Sequence, residues 1–299
     1  MGKFYRDYAD FLKERFEGKV QKLTVDVGHT CPNRDGTKGR GGCIYCNNAS
    51  FSPALASPGS RMSVAAQLQA GKEFFARKYP TMRYLAYFQS YTNTHDDPSR
   101  LIARYREALA VDDVVGLIIG TRPDCISPAL LAQLSEINSS GKRVIIEYGA
   151  ESSHDTTLQA INRCHTWADT VNAVNLTREA GIDVGLHFIM GLPGESRAMM
   201  LATVDAINRL RPDTVKFHQL QVIDHTPLAR MWREGNIELH LFEVDEYLEL
   251  CKDIVGRLDP SITIERFTSS APSDLLLAPR WGLKNYQFTN LLNNLLAAE

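Results

Sequence analysis

Residues 31–46 read Cys31-Pro-Asn-Arg-Asp-Gly-Thr-Lys-Gly-Arg-Gly-Gly-Cys43-Ile-Tyr-Cys46. Three cysteines are one short of a closed structural site, because zinc and iron–sulfur centres held only for architecture take four protein ligands. Three thiolates on a four-iron cluster leave one iron open to a substrate. The glycines of the stretch let the backbone fold closely around a compact inorganic body. Two plainer readings stand beside this one. The pair Cys43-x-x-Cys46 suits a dithiol redox site, and it also suits half of a zinc site that His29 could complete.

Outward from this loop, strand-like runs and amphipathic helical runs alternate from residue 23 to about 221. That rhythm argues for repeated βα units around a parallel sheet. Six strands are expected, at residues 23–28, 83–89, 114–120, 143–147, 183–190 and 214–221. Ser63, Ser127 with Pro128, Thr166 and Ser196 open helices between them, and Pro80, Gly141, Gly181 and Pro212 close them. Beyond the sixth strand the pattern changes to a helix at 243–258, a short strand at 262–267, and an irregular turn and helix at 275–299. The expected organisation is a lead-in helix within residues 1–20, a barrel over 21–224, and a small C-terminal α/β appendage over 225–299.

The 299 residues carry 33 Lys and Arg against 35 Asp and Glu, a net charge of −2, with 44% hydrophobic and 23% charged residues. This balance is ordinary for a soluble globular chain and leaves no global electrostatic footprint for nucleic acid. Residues 1–40 hold nine Lys or Arg against six Asp or Glu, and Arg34, Lys38 and Arg40 lie within the cysteine loop. No run is long and apolar enough to span a bilayer, and the first twenty residues lack the apolar core of a secretory signal. The expected compartment is the cytoplasm, with no membrane partner. There, clustered cysteines point to ligand thiolates and not to disulfides, and Cys125, Cys164 and Cys251 read as small buried side chains.

Three strand ends carry further signals. The fourth strand runs into Glu147 and Glu151, two carboxylates on one side of a strand, whose burial needs cations or hydrogen-bond donors; Arg163 follows. The fifth ends His187-Phe-Ile-Met-Gly-Leu-Pro-Gly-Glu195, where Gly191 and Gly194 would let main-chain groups approach a flat ligand. The third ends Gly120-Thr-Arg-Pro-Asp-Cys125. His165, His187, His218 and His225 read individually as structural or surface histidines.

Together the three-cysteine loop, Tyr45 just before its last cysteine, the six βα units and these strand ends resemble the radical S-adenosylmethionine (SAM) superfamily. The eleven residues between the first two cysteines resemble its longer-spaced branch, which includes the elongator catalytic subunit. A bacterial family of about this length is similar in its Cys-Pro-Asn-Arg-Asp-Gly and Tyr-Phe-Gln-Ser-Tyr runs. The resemblance implies a partial (β/α)6 TIM-like barrel with a [4Fe-4S] cluster on Cys31, Cys43 and Cys46 and SAM on its open iron. It implies cofactor contacts from Tyr45, Glu147, Glu151, Arg163, Ile189 and Gly191, with Arg163 on the SAM carboxylate and Ile189 and Gly191 at the adenine. Gln89 and Ser90 stand where many members carry Gly-Gly-Glu, and Asp124 with Arg122 stands at the barrel mouth. The implied chemistry is reductive cleavage of SAM to a radical that takes a substrate hydrogen, with an electron donor such as flavodoxin or ferredoxin. The branch implies a modified uridine of transfer RNA as substrate, for which Tyr5, Tyr8 and Trp281 are candidate stacking aromatics. Radical chemistry on a small metabolite or peptide, and a non-catalytic iron–sulfur RNA-binding or redox protein, remain the alternatives. No catalytic acid or base stands out.

Overall fold

The computed structural model describes residues 3–50, 62–79 and 81–298. Six strands follow one another across a parallel sheet: β1 (Val20–Val25), β2 (Arg83–Phe88), β3 (Val114–Thr121), β4 (Arg143–Glu151), β5 (Asp183–Met190) and β6 (Thr214–Gln219). A two-residue strand β7 (Val222–Ile223) leaves the sheet, and β8 (Thr263–Arg266) returns to pair with β6 as the seventh parallel strand. β7 pairs antiparallel with β9 (Leu276–Ala278). The short strand expected in the C-terminal appendage is thus part of the barrel wall.

Five of the six expected strands begin where the sequence places them. β1 sits three residues earlier than expected, because Lys22 is turned into the barrel and its charge disguises the start of the strand. β4 runs on to Glu151 through a bulge at Gly149/Glu151. Side-chain caps from Ser63, Ser127, Thr166 and Ser196 start α2 (Val64–Ala76), α4 (Pro128–Ser139), α6 (Trp167–Glu179) and α7 (Arg197–Leu210). α3 (Pro98–Leu109) starts at the Asp97–Pro98 pair, a signal the sequence reading passed over. Pro80, the expected stop of α2, lies outside the described residues. The remaining helices are α1 (Tyr8–Arg15), α5 (Asp155–Ala160), α8 (Pro227–Arg233), α9 (Val244–Arg257) and α10 (Asn285–Ala297).

Helices cover the outer face of the sheet over a large apolar core. The inner face is layered. At the amino ends of the strands, Phe11 and Phe16 from α1 and the residue after it pack on Leu85, Ile118 and Ile145 and plug the barrel. The segment leading to α1 also covers the free edge of β8, since Ile264 N–H donates to Arg6 O at 2.9 Å. An exposed edge would otherwise offer unpaired backbone groups.

Next along the strands lies an ionic layer. Lys22 Nζ is 3.2 Å from Glu147 Oε1 and 2.7 Å from Glu265 Oε1, while Lys216 Nζ is 2.6 Å from Glu147 Oε2 and 3.2 Å from Glu265 Oε1. Tyr87 supplies a ring 5.2 Å from Lys22 Nζ and 5.0 Å from Lys216 Nζ. β1 and β8 are opposite edges of the sheet, so the Lys22–Glu265 pair spans the gap in the incomplete barrel. Burial opposes ionisation of Glu147, but Lys216 and Lys22 outweigh it and hold its carboxyl well below the usual carboxylate range. Glu265 is likewise lowered, with the same two lysines overcoming burial.

Glu147→Gln should cost about 3–5 kcal/mol in chemical denaturation, because it leaves two buried lysines facing one carboxylate. Coupling it to Lys216→Met should recover most of that loss. Both carboxyls ionise at lower pH in the folded chain than in the unfolded one, so the unfolded chain takes up protons first on acidification. Their contribution should be complete above about pH 4.3 and fall away below it, with a shallower acid limb in Glu147→Gln.

Candidate active site and cofactor cavity

At the carboxyl ends of the strands a cavity of about 210 Å³ opens above the ionic layer. Parallel barrels gather their chemistry at this end because loops from several strands converge there. Cys31, Cys43, Cys46 and Tyr45 line it from the loop after β1. Gln89, Glu147, Glu151, Arg163 and Ile189 line it as well, together with Arg122. Three residues singled out in the sequence do not. Ser90 is buried with an unpartnered hydroxyl, Asp124 turns to Arg122, and Gly191 packs so closely that a Cβ would lie 2.8 Å from the Phe242 ring.

The cysteine loop is tied down by its own main chain and by residues 161–164. Cys31 O accepts from the N–H groups of Arg34 and Asp35 at 2.7 and 3.0 Å, and Gly42 N–H donates to Asn33 O at 2.8 Å. Ile44 N–H donates to Ile161 O at 3.1 Å, and Asn162 Nδ2 donates to Gly42 O at 2.8 Å. Asn162 and Cys164 adopt left-handed backbone (φ 54° and 57°), which folds this segment back onto the loop. A Cβ at Gly39 would collide with the Asn33 side chain, so any larger residue there would displace that side chain. Ile44 and Tyr45 sit on an apolar cluster of Leu158, Ile161, Leu192, Leu220 and Leu228.

Arg163 joins this loop to β4. Its Nη1 lies 3.5 Å from Cys43 Sγ, and its Nη2 donates to Gly149 O at 2.5 Å and lies 3.4 Å from Glu151 Oε1. The bulge and a left-handed φ of 68° at Glu151 turn that carboxyl toward Arg163, and burial raises its pKa. Arg122 forms a fork on Asp124, with bonds of 2.9 and 3.0 Å, and donates to Arg163 O at 2.7 Å. Lys38 Nζ adds a contact of 2.8 Å to Asp124. Burial opposes ionisation of Asp124, yet Arg122 prevails and lowers it to about 2. Asp124 therefore braces a cation of the cavity and offers no oxygen to it.

The donor set fits a multi-iron cluster and a charged organic ligand. All six cysteines are free thiols, and three of them line one cavity. Among the described residues no group of three Cys, His, Asp or Glu side chains converges on a single metal ion. A lone zinc ion would draw its thiolates to within about 4 Å of one another, given Zn–S bonds near 2.3 Å. His29 does not complete a zinc site, since its ring nitrogens lie 3.1 and 3.3 Å from Arg104 Nη1. Burial and the neighbouring Cys43 push the Cys46 thiol up to about 11, a proton that coordination would displace. Arg122 Nη1, Arg163 Nε and Thr92 Oγ1, all on cavity-lining residues, are buried without partners. Such orphaned donors suit an anionic or hydroxyl-bearing ligand.

Other sequence expectations change. Tyr5 packs edge-on against Phe267, Trp281 stacks on Phe288 and donates to Phe242 O, and Lys22 lies over the Tyr8 ring, so none of the three is a free stacking surface. Cys251 is buried, but Cys164 is exposed, because its left-handed backbone turns it away from the core. Tyr87, Tyr91, His187, His218, Gln219 and Arg266 line the cavity without having been singled out as site residues from the sequence. The strand-six run Thr-Val-Lys-Phe-His-Gln held the signal: a Lys and a His alternate with apolar residues on a strand flanked by others.

Comparison with known proteins agrees with this architecture. Residues 27–207 match the radical SAM superfamily, and residues 212–298 match the radical SAM C-terminal domain. Protein YhcC of Escherichia coli (strain K12) is 38% identical over 270 residues, which cover 90% of this chain and 85% of that protein. A tRNA uridine(34) acetyltransferase of Methanocaldococcus infernus is 26% identical over 166 residues, 54% of this chain and 30% of that protein. The solved Elp3 of Methanocaldococcus infernus superposes with a TM-score of 0.67 at 19% identity, covering 95% of this chain and 64% of that one. The chain belongs to the radical SAM superfamily and is a radical SAM enzyme, with a [4Fe-4S] cluster and SAM as its cofactors.

Proposed function

We propose that this enzyme acts on a modified wobble uridine in transfer RNA, in the cytoplasm, with flavodoxin or ferredoxin as its electron donor. The cavity mouth carries this reading. Tyr91 is 37% exposed while lining the cavity, and the exposed Arg34 lines the same cavity. RNA bases splayed out of a loop are held by an aromatic face and nearby cations. A relative named for uridine 34 of tRNA, matching over half the chain, supports the same substrate class.

Cys31, Cys43 and Cys46 would hold the cluster. When bound, the reduced cluster supplies an electron to SAM and so a carbon radical that takes a hydrogen atom from the substrate. The rest falls to the chain. Arg163 places positive charge beside Cys43, and its free Nε, with the free Nη1 of Arg122, is suited to the SAM carboxylate. Glu151, tied to Arg163, is positioned for an amine or a ribose hydroxyl. Ile189 and Leu220 give the cavity an apolar side that excludes water from a reactive radical.

Anaerobic reconstitution followed by SAM and reductant should yield 5′-deoxyadenosine. Cys46→Ala should lose cluster and product together, whereas Arg163→Ala should keep the four-iron absorption and lose product by tenfold or more. For the substrate, Tyr91→Ala should weaken tRNA binding about tenfold, on the scale of one lost base stack. Nucleoside mass spectrometry of tRNA treated with the active enzyme checks the assignment. If 5′-deoxyadenosine forms but no tRNA nucleoside changes, the substrate is a small metabolite or peptide.

A further inference from the structure

We propose that the cavity wall built by β6, β8 and the turn after β8 is a subsite for an oxyanion of the substrate, a carboxylate or a phosphate, held by the Arg266 guanidinium. This rests on the reading of the cavity as the reaction chamber and is independent of whether the substrate is RNA. β6 and β8 pair Val215 with Ile264 and then Lys216 with Arg266, so one residue is skipped. This bulge sends two consecutive side chains inward. Bulges re-aim side chains in this way beside active sites. Glu265 enters the ionic layer, and Arg266 lines the cavity.

The two end in opposite circumstances. Both Glu265 oxygens are taken up by Lys22, at 2.7 and 2.8 Å, and Lys216 adds a contact of 3.2 Å. Arg266 has no carboxylate partner among the described residues. Its Nε is buried without a hydrogen bond, and its Nη2 reaches only His218 Nε2, at 3.5 Å. The two buried guanidiniums elsewhere in the cavity lining differ. Arg122 has Asp124, and Arg163 has Glu151. The rings beside Arg266 supply no negative charge, since His187 and His218 lie 5.6 Å apart and burial keeps both neutral.

A guanidinium in a cleft with no counter-ion is costly unless an anion arrives to meet it. Its planar fork suits carboxylate or phosphate oxygens. The surroundings are fixed in advance. Ser269 N–H donates to Gln219 Oε1 at 2.9 Å, and Ser269 Oγ donates to Gln221 Oε1 at 3.2 Å, which locks the turn after β8 onto the end of β6. The cysteines come from the β1 loop and the SAM contacts from β4, β5 and the segments after β3 and α5, whereas Arg266 stands on β8, beyond β6.

The test uses the reconstituted, SAM-loaded holoenzyme and anaerobic calorimetry, with malonate and inorganic phosphate as separate probes. Wild type should bind at least one of them with unit stoichiometry, and the preferred probe tells carboxylate from phosphate. Arg266→Gln should weaken that binding tenfold or more while SAM affinity stays within twofold. Arg266→Lys keeps the charge but loses the fork; a drop of about threefold is expected, and this variant decides the case if the glutamine variant does not fold. Saturable binding of neither probe, or equal affinity in the variants, would overturn the subsite. So would a parallel loss of SAM affinity, which would give the guanidinium to the cofactor. Neither probe is RNA, so failure to modify tRNA leaves this result standing, and absence of anion binding by the wild type with tRNA modification intact would refute the subsite alone.

Discussion

Two lysines and two glutamates, paired inside an incomplete barrel, set the geometry on which the cavity rests. Each carboxylate oxygen has a lysine nitrogen within 3.2 Å, and the charges of the four cancel. Cancellation matters because an unpaired charge at this depth would carry the full cost of desolvation. The pairs also do what backbone hydrogen bonds cannot. β1 and β8 end the sheet without bonding to each other, and Lys22 with Glu265 draws those edges together from within. Below this layer Phe11 and its neighbours exclude water, and above it the strands are free to diverge into the cavity.

The site depends on a division of labour between segments distant in sequence. The cysteine loop has neither helix nor strand of its own from Asp26 to Asn47, and its conformation is imposed by Asn33, by Asn162 and by the apolar seat under Ile44 and Tyr45. Arg163 then couples that loop to the bulged end of β4. A change at Gly149 would reach the cysteines through Arg163, since a Cβ there would meet Arg163 Nη2 at 2.6 Å.

Much of this was legible in the sequence, and what was missed has a common cause. The cysteine spacing, the βα rhythm and the helix caps are local signals, and they survive folding almost unchanged. Lys22, Lys216 and Glu265 were passed over because a charge on a strand looks like a solvent-facing position. Only closure of the sheet turns that face into an interior. Glu147 was picked out as a buried carboxylate, yet its partners Lys22 and Lys216 lie far away in the chain and could not be named. Arg266 was hidden more deeply, because alternation assigns consecutive residues to opposite faces and the bulge breaks that rule. Tyr5, Tyr8 and Trp281 show the converse: aromatic residues near the chain ends read as exposed until β8 and α10 supply their packing partners.

Because β8 comes from the last quarter of the chain, the order of synthesis and the order of assembly are opposed. The cysteine loop leaves the ribosome early, while the residues that clamp it, around Asn162, follow long after, and the strand that closes the sheet comes later still. Until Glu265 arrives, Lys22 and Lys216 have only Glu147 between them. A cluster delivered to the nascent chain would meet three thiols on an unframed loop. Framing of the three thiols thus waits on the segment around Asn162, and closure of the sheet waits on β8.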